Sequence, residues 1–302
     1  MPNWLDPQAT LITRMLRGAG YATAHYGKWH LGRGEGAPDP GAYGIDDHRT
    51  VSTNGPGFEE QADEYFRAKS TGLFVDEAIR FVEANRDRPF YINLWTLVPH
   101  ATLHATEEQM KPYRSFGPNR VPHKGAAQIY YSTVTAMDAE LGRLFARLDD
   151  LKLADSTIVL FSSDNGPEDI HIRNASHSGI GSPGPFRGRK RSLYDGGVRV
   201  PLIVCWPGNV PAGKVDDDSV VTAVDFLPTL CHLAGADLPK SYAGDGEDIS
   251  DIFTVKSRQR VKPIMWEWRF RVARYPIHRS PILSIRKGIW KRSMNPDRSR
   301  RE

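Results

Sequence analysis

Along this chain apolar residues recur in two alternating rhythms: a helical spacing of three and four, then a short run that is apolar on both sides. Leu11, Met15 and Leu16 predict a short helix that Gly18 and Gly20 end, and residues 21–26 form a strand that stops at Gly27. Phe74, Ala78, Phe81 and Val82 predict a second helix, Arg88 and Pro89 interrupt it, and residues 90–98 make a nearly continuous apolar strand. The longest helix is predicted over residues 126–151, where Ile129, Thr133, Met137, Leu141, Leu144 and Leu148 fall three or four apart. Residues 157–163 follow, β-branched and apolar on both faces, in the manner of a central strand in a covered sheet. A further strand at residues 202–206 stops at Pro207 and Gly208. Asp225 then reads as the N-cap of a helix reaching Ala234, with Pro228 in its first turn and Gly235 closing it.

Helices alternating with apolar strands predict an α/β protein whose sheet is flanked by helices, and such sheets place ligands beyond the carboxyl ends of their strands. Residues 1–260 are expected to form this domain, and residues 261–302, with a strand at 282–285, a smaller sheet element. Residues 37–57, rich in Gly, Pro and Asp without periodicity, read as a long surface loop. At 302 residues, with 39% hydrophobic and 25% charged positions, the composition is that of a globular protein, and no apolar run approaches the ~20 residues that span a bilayer. The two cysteines, Cys205 and Cys231, lie in apolar surroundings and read as small buried hydrophobes. Residues 1–15 show no secretory signal pattern, which leaves localisation open.

The net charge of +4 is uneven. Residues 256–302 carry 15 Lys and Arg against three acids, a local +12 that leaves −8 for the other 255 residues. No helix-turn-helix, zinc-finger or RNP pattern accompanies this basic tail, so no nucleic-acid partner is expected.

Three groups of polar residues follow strands: Lys28 and His30, His100 and His104, and Asp164 with Asn165. They are expected to converge on one edge of the sheet. Asp164 and Asn165 offer the hard oxygen ligands that Ca²⁺ or Mg²⁺ prefers, although Asp-Asn-Gly is also the composition of a tight turn. Residues 181–192, GSPGPFRGRKRS, join glycines to four cations, which suits a sulfate or phosphate ester and suits a solvated basic loop as well. His100 and His104 read equally as strand-end histidines held by backbone and as participants in chemistry. Trp29, beside Lys28, reads as packing.

Residues 20–32, GYATAHYGKWHLG, resemble the second signature of the sulfatase family, and four further segments occur in that family's order. These are residues 89–103 with Pro99 and His100, the strand and turn through Ser163-Asp164-Asn165-Gly166, residues 187–201 (RGRKRSLYDGGVRVP), and residues 225–229 (DFLPT). The resemblance implies an alkaline-phosphatase-like sandwich, with a large central mixed sheet flanked by helices and a small C-terminal sheet, that hydrolyses sulfate esters at a calcium site. Carried over, it makes Asp164 and Asn165 metal ligands, Lys28 and Lys190 holders of the sulfate oxygens, and His30 and His100 agents of proton transfer. Metal and lysines would neutralise charge gathering on sulfate oxygens, and a histidine can protonate a departing alkoxide. The implied partner is a sulfated small molecule or sulfated glycan.

The family also begins with a strand ending in paired aspartates and a Cys-x-Pro-x-Arg motif, whose cysteine becomes the formylglycine nucleophile. Neither occurs here, and Asp46-Asp47, which comes after the signature, is not taken for the missing pair. The chain is therefore expected to be truncated at both ends, with an incomplete calcium shell and no formylglycine-dependent turnover. A phosphate or phosphonate ester hydrolase of the same superfamily, and a non-catalytic binder of sulfated glycans, are the alternatives.

Overall fold

The computed structural model describes residues 4–51, 57–117, 125–169, 176–254, 257–269 and 280–295. Of the expected surface loop at residues 37–57, positions 52–56 lie outside this set, as do 256, 270–279 and 296–302 of the basic tail. The helices are α1 (Ile12–Gly18), α2 (Phe66–Ala84), α3 (Glu107–Met110), α4 (Ala126–Asp150), α5 (Asp195–Val198), α6 (Phe226–Leu233) and α7 (Ser250–Phe253). The strands are β1 (Ala22–Lys28), β2 (Asp47–Val51), β3 (Phe90–Trp95), β4 (Val159–Ser162), β5 (Leu202–Cys205), β6 (Ile264–Glu267), β7 (Leu283–Lys287) and β8 (Trp290–Met294). The chain divides into two compact units, one of residues 1–99, 103–156 and 224–250, the other of residues 100–102, 157–223 and 251–302.

In the first unit β1 is the centre of a parallel sheet ordered β2-β1-β3. Alternation sorts its side chains: Ala22, Ala24 and Tyr26 pack against Phe66, Phe74, Ala78 and Phe81 of α2, while Thr23 and His25 face the other way. Leu16 of α1 meets Cys231 of α6 in a second apolar cluster, with Tyr21 and Tyr91 packed against it. Every β1 residue from Ala22 to Gly27 is buried. Fully burying a side chain such as Phe74 or Tyr26 contributes about 1.5–3 kcal/mol, which fixes the end of β1 rigidly.

Two features of this unit differ from expectation. The loop at 37–57 contains a strand, β2, paired in register from Ala24↔Asp47 to Lys28↔Val51. Its sequence, DHRTV, has no apolar alternation because its side chains serve an ion network: Arg49 with Glu77 (2.6 Å), and Arg80 with both Asp47 and Glu77 (2.8 Å each). Such a charged strand suits the edge of a sheet. Asp225 does not cap α6. It is fully buried, and its Oδ1 accepts from the amide of Glu247 at 2.8 Å, so it holds the returning chain.

In the second unit β4 pairs antiparallel with β5, from Val159↔Cys205 to Ser162↔Leu202. Among the described residues β4 has no other strand partner, so the expected covered central strand is half-covered, with Phe161 39% and Ile203 57% exposed. Cys205 is exposed for the same reason, against the buried reading, while Cys231 is buried as expected. The C-terminal sheet, β6-β7-β8, is antiparallel. Among the described residues no helix is long and apolar enough to cross a membrane.

Candidate active site

The first group stands at the end of β1. Gly27 has φ +109°, and a Cβ there would lie 2.1 Å from the Trp95 carbonyl oxygen, so only glycine lets β1 and β3 close at this point. Lys28 follows, half-buried, and His30 is exposed two residues on. Trp29 between them is packing, as expected: it is 1% exposed, joins Tyr43 and Ile45 in a cluster, and donates from Nε1 to Gly32 O at 3.1 Å. His25 braces the same turn. Its Nε2 lies 3.0 Å from Lys28 O, a pure acceptor, so the ring carries its proton on Nε2 and leaves Nδ1 buried without a partner. Edge contacts to Trp29 and Trp95, with centroids at 5.1 and 4.7 Å, hold the ring. Burial pushes its pKa down to about 4; the hydrogen bond to Lys28 works against this shift and the nearby His48 adds to it.

Asp164, Asn165 and Lys190 are brought together in the second unit. The turn after β4 and the loop at 187–197 are tied backbone to backbone, Gly166 N to Gly197 O at 2.9 Å and Lys190 N to Pro167 O at 2.9 Å. Asn165 donates from Nδ2 to Gly166 O at 3.0 Å, which leaves Oδ1 as its acceptor, and Ser163 Oγ donates to Asn165 O at 2.9 Å. Among the described residues the Asp164 carboxylate makes no hydrogen bond or ion pair.

The four cations of this loop prove unequal. Arg189 donates from Nε to Glu168 O at 3.1 Å and from its guanidinium to the carbonyls of Gly179 and Gly181. Arg191 pairs with the buried Glu168, and Arg187 stacks over Tyr194 at 3.9 Å. The ammonium of Lys190 alone has no described partner, so three cations build the loop and the fourth is presented by it. Read from composition the four were equivalent. The signal that separates them is Glu168, an acid close behind Asp-Asn-Gly that sequence reasoning passed over.

His100 is exposed, and its Nδ1 donates to Ala101 O at 2.7 Å, which sets the neutral ring as the Nδ1–H tautomer. His104 is exposed. Asp46 is held by the Thr23 amide (3.1 Å) and Arg17 (2.8 Å), and Asp47 by Arg80. Oxygen donors without partners at Asp164 and Asn165 fit a hard cation, but two fall short of the roughly six to eight that calcium takes. Among the described residues no group of three or more His, Cys, Asp or Glu completes such a shell.

Comparison with known proteins places these residues in context. The family model described as Sulfatase matches residues 5–236. N-acetylgalactosamine-6-sulfatase of Sus scrofa is 31% identical over 289 residues, covering 86% of this chain and 51% of that protein. An arylsulfatase of Hemicentrotus pulcherrimus is 27% identical over 271 residues, covering 80% and 45%. The chain thus spans about half the length of the curated relatives it matches. Among solved structures, Ps i-CgsB in complex with k-i-k-neocarrahexaose superposes with a TM-score of 0.77 at 24% identity, covering 96% of this chain and 67% of that one. Its likeness carries the fold: mixed α/β with a parallel sheet and a small antiparallel C-terminal sheet, of the alkaline-phosphatase-like kind.

Proposed function

This chain belongs to the sulfatase family, and from that premise we propose that the protein acts on sulfate esters, its substrate a sulfated glycan or sulfated small molecule. The observation that carries the reading is the latch between the Asp164–Asn165 turn and the loop presenting Lys190, which sets on two joined segments a carboxylate and an ammonium that have no partner among the described residues. A carboxylate and an ammonium left to other ligands suit a bound metal on one side and an anion on the other.

In this proposal Asp164 and the amide oxygen of Asn165 hold calcium, and Lys190 holds a sulfate oxygen. The family signature at residues 20–32 supports Lys28 as a second sulfate ligand and His30 as a proton-transfer group, with His100 in the same role. Calcium, when bound, offsets charge on the sulfate oxygens. Gly27 and His25 keep Lys28 at a fixed backbone position, and Arg189 and Arg191 brace the backbone on either side of Lys190. A fixed cation stabilises developing charge without first reorganising, which is where such groups contribute most.

Neither Cys205 nor Cys231 stands in Cys-x-Pro-x-Arg, so we propose that residues 1–302 by themselves bind sulfate esters without turning them over. The test is calorimetric titration of this polypeptide with 4-nitrophenyl sulfate and with a phenylphosphonate monoester, beside a turnover assay on each. Expected are binding of the sulfate that Lys190→Ala and Asp164→Ala abolish, and no release of nitrophenol. Preference for the phosphonate would redirect the reading to that ester class. Turnover that Lys28→Ala or His100→Ala abolishes would refute the inactivity.

A further inference from the structure

The C-terminal sheet reaches the Lys190 loop through the side chain of Lys291. Register puts Trp266 of β6, Ser284 of β7 and Ser293 of β8 in line, and Lys291, two residues from Ser293, projects from the same face. Ser284 is 4% exposed, so this is the covered face, whereas Met265 on the opposite face is 71% exposed. Lys291 Nζ lies 2.6 Å from Asp195 Oδ1 and 5.1 Å from the Trp266 ring centroid. Its side chain is 16% exposed.

Asp195 opens α5, the four-residue helix at the end of the anion loop. From there the hydrogen bonds run directly into the site. Gly196 N donates to Arg187 O at 2.8 Å, closing the loop around Lys190, and Gly197 O accepts from Gly166 N beside the Asp164–Asn165 turn. A second tie, Leu193 N to Ser280 Oγ at 3.0 Å, joins the loop to the lead-in of β7. A half-covered ion pair stacked on an indole is held in one geometry, unlike a surface lysine that meets an acid in passing.

We propose that Lys291 is a positioning residue for the anion loop: by pairing with Asp195 it fixes the closed arrangement of residues 187–197 that presents Lys190. The C-terminal sheet is thereby part of the oxyanion-binding apparatus. The chemical consequence rests on the reading of Lys190 as a sulfate ligand; the mechanical one does not.

Amide hydrogen exchange of the ¹⁵N-labelled 302-residue chain reads the mechanical part. Lys291→Met keeps the stem over Trp266 and removes the charge. It is expected to speed exchange about tenfold or more at the amides of Gly166, Lys190 and Gly196, with the amides of β7 unchanged, and Lys291→Arg restores most of the protection. Asp195→Asn, which leaves the sheet intact, gives the same pattern if Lys291→Met does not fold. Unchanged exchange at the three amides overturns the proposal, and so does equal acceleration across β7, which marks a merely structural lysine. In titrations with 4-nitrophenyl sulfate, Lys291→Met is expected to weaken binding about tenfold. If Lys190→Met weakens it and Lys291→Met does not, the positioning role fails while the reading of Lys190 stands. If Lys190→Met has no effect, that reading fails, and the exchange result alone decides the role of Lys291.

Discussion

Gly166 and Gly196 meet backbone to backbone: a Cβ on Gly166 would lie 1.9 Å from the Gly196 carbonyl oxygen. No side chain fits at position 166, so the turn bearing Asp164 and the start of α5 are adjacent only because Gly166 is glycine; a Cβ on Gly196 would instead lie 2.1 Å from the Gly188 carbonyl oxygen, within the loop itself. Gly166→Ala is expected to push them apart and to cost on the order of 1–3 kcal/mol in urea denaturation. Gly142→Ala is the control, since nothing lies within 4 Å of its Cβ position in α4, and it is expected to stabilise by about 0.5–1 kcal/mol. Equal effects of the two substitutions would contradict the close approach.

Arg189 and Lys190 are chain neighbours with opposite expected phenotypes. Arg189→Ala leaves the carbonyls of Glu168, Gly179 and Gly181 short of a donor and is expected to lower stability by about 1–3 kcal/mol. Lys190→Ala breaks no described contact and is expected to change stability by less than about 0.5 kcal/mol while removing sulfate-ester binding. A Lys190→Ala protein that melts far below the parent would mean that the ammonium is structural after all.

If Asp164 and Asn165 are calcium ligands, melting in calcium and in chelator separates the parent from Asp164→Ala. At 100 times its Kd calcium stabilises by about 2.7 kcal/mol, a clear rise in melting temperature that Asp164→Ala is expected to lose. A flat response of the parent would remove the metal from the proposal and leave Lys190 standing as an anion ligand alone.

Periodicity made most elements of the first unit legible, because β1, β3, α2 and α4 bury a stripe or both faces and must carry apolar residues in that pattern. β2 escaped it: an edge strand bearing Asp47 and Arg49 owes its place to ion pairs with α2, which leave no rhythm in the sequence. Of the site, the residue types after each strand were readable, but their ranking was not. Which of Arg187, Arg189, Lys190 and Arg191 faces a ligand depends on Tyr194, Glu168 and two loop carbonyls, and that is tertiary information. His25 was hidden for another reason. It sits inside an apolar strand, where a buried histidine looks like any core residue until the hydrogen bond to Lys28 O is seen.

That histidine gives the chain an acid-sensitive joint. In the unfolded chain His25 titrates near 6.5 and in the folded state at about 4, so between these values the unfolded chain binds the extra proton. Stability from His25 is therefore full above about pH 6.5, falls as the pH drops, and is lost by about pH 4; a gap of this size is worth roughly 3 kcal/mol. Carboxyl groups contribute lower down. Asp63, held below the usual range by Lys69, and Asp216, held there by the Ser219 amide, lose their share only below the ordinary carboxylate pKa. Urea denaturation between pH 7.5 and about 4.5 thus isolates the imidazole, and His25→Leu is expected to flatten the slope in that window while leaving the acid limb below it. The backbone at Lys28 should loosen over the same range, because a protonated ring at this buried position favours opening over burial. An unchanged slope in His25→Leu would assign the acid sensitivity to another group.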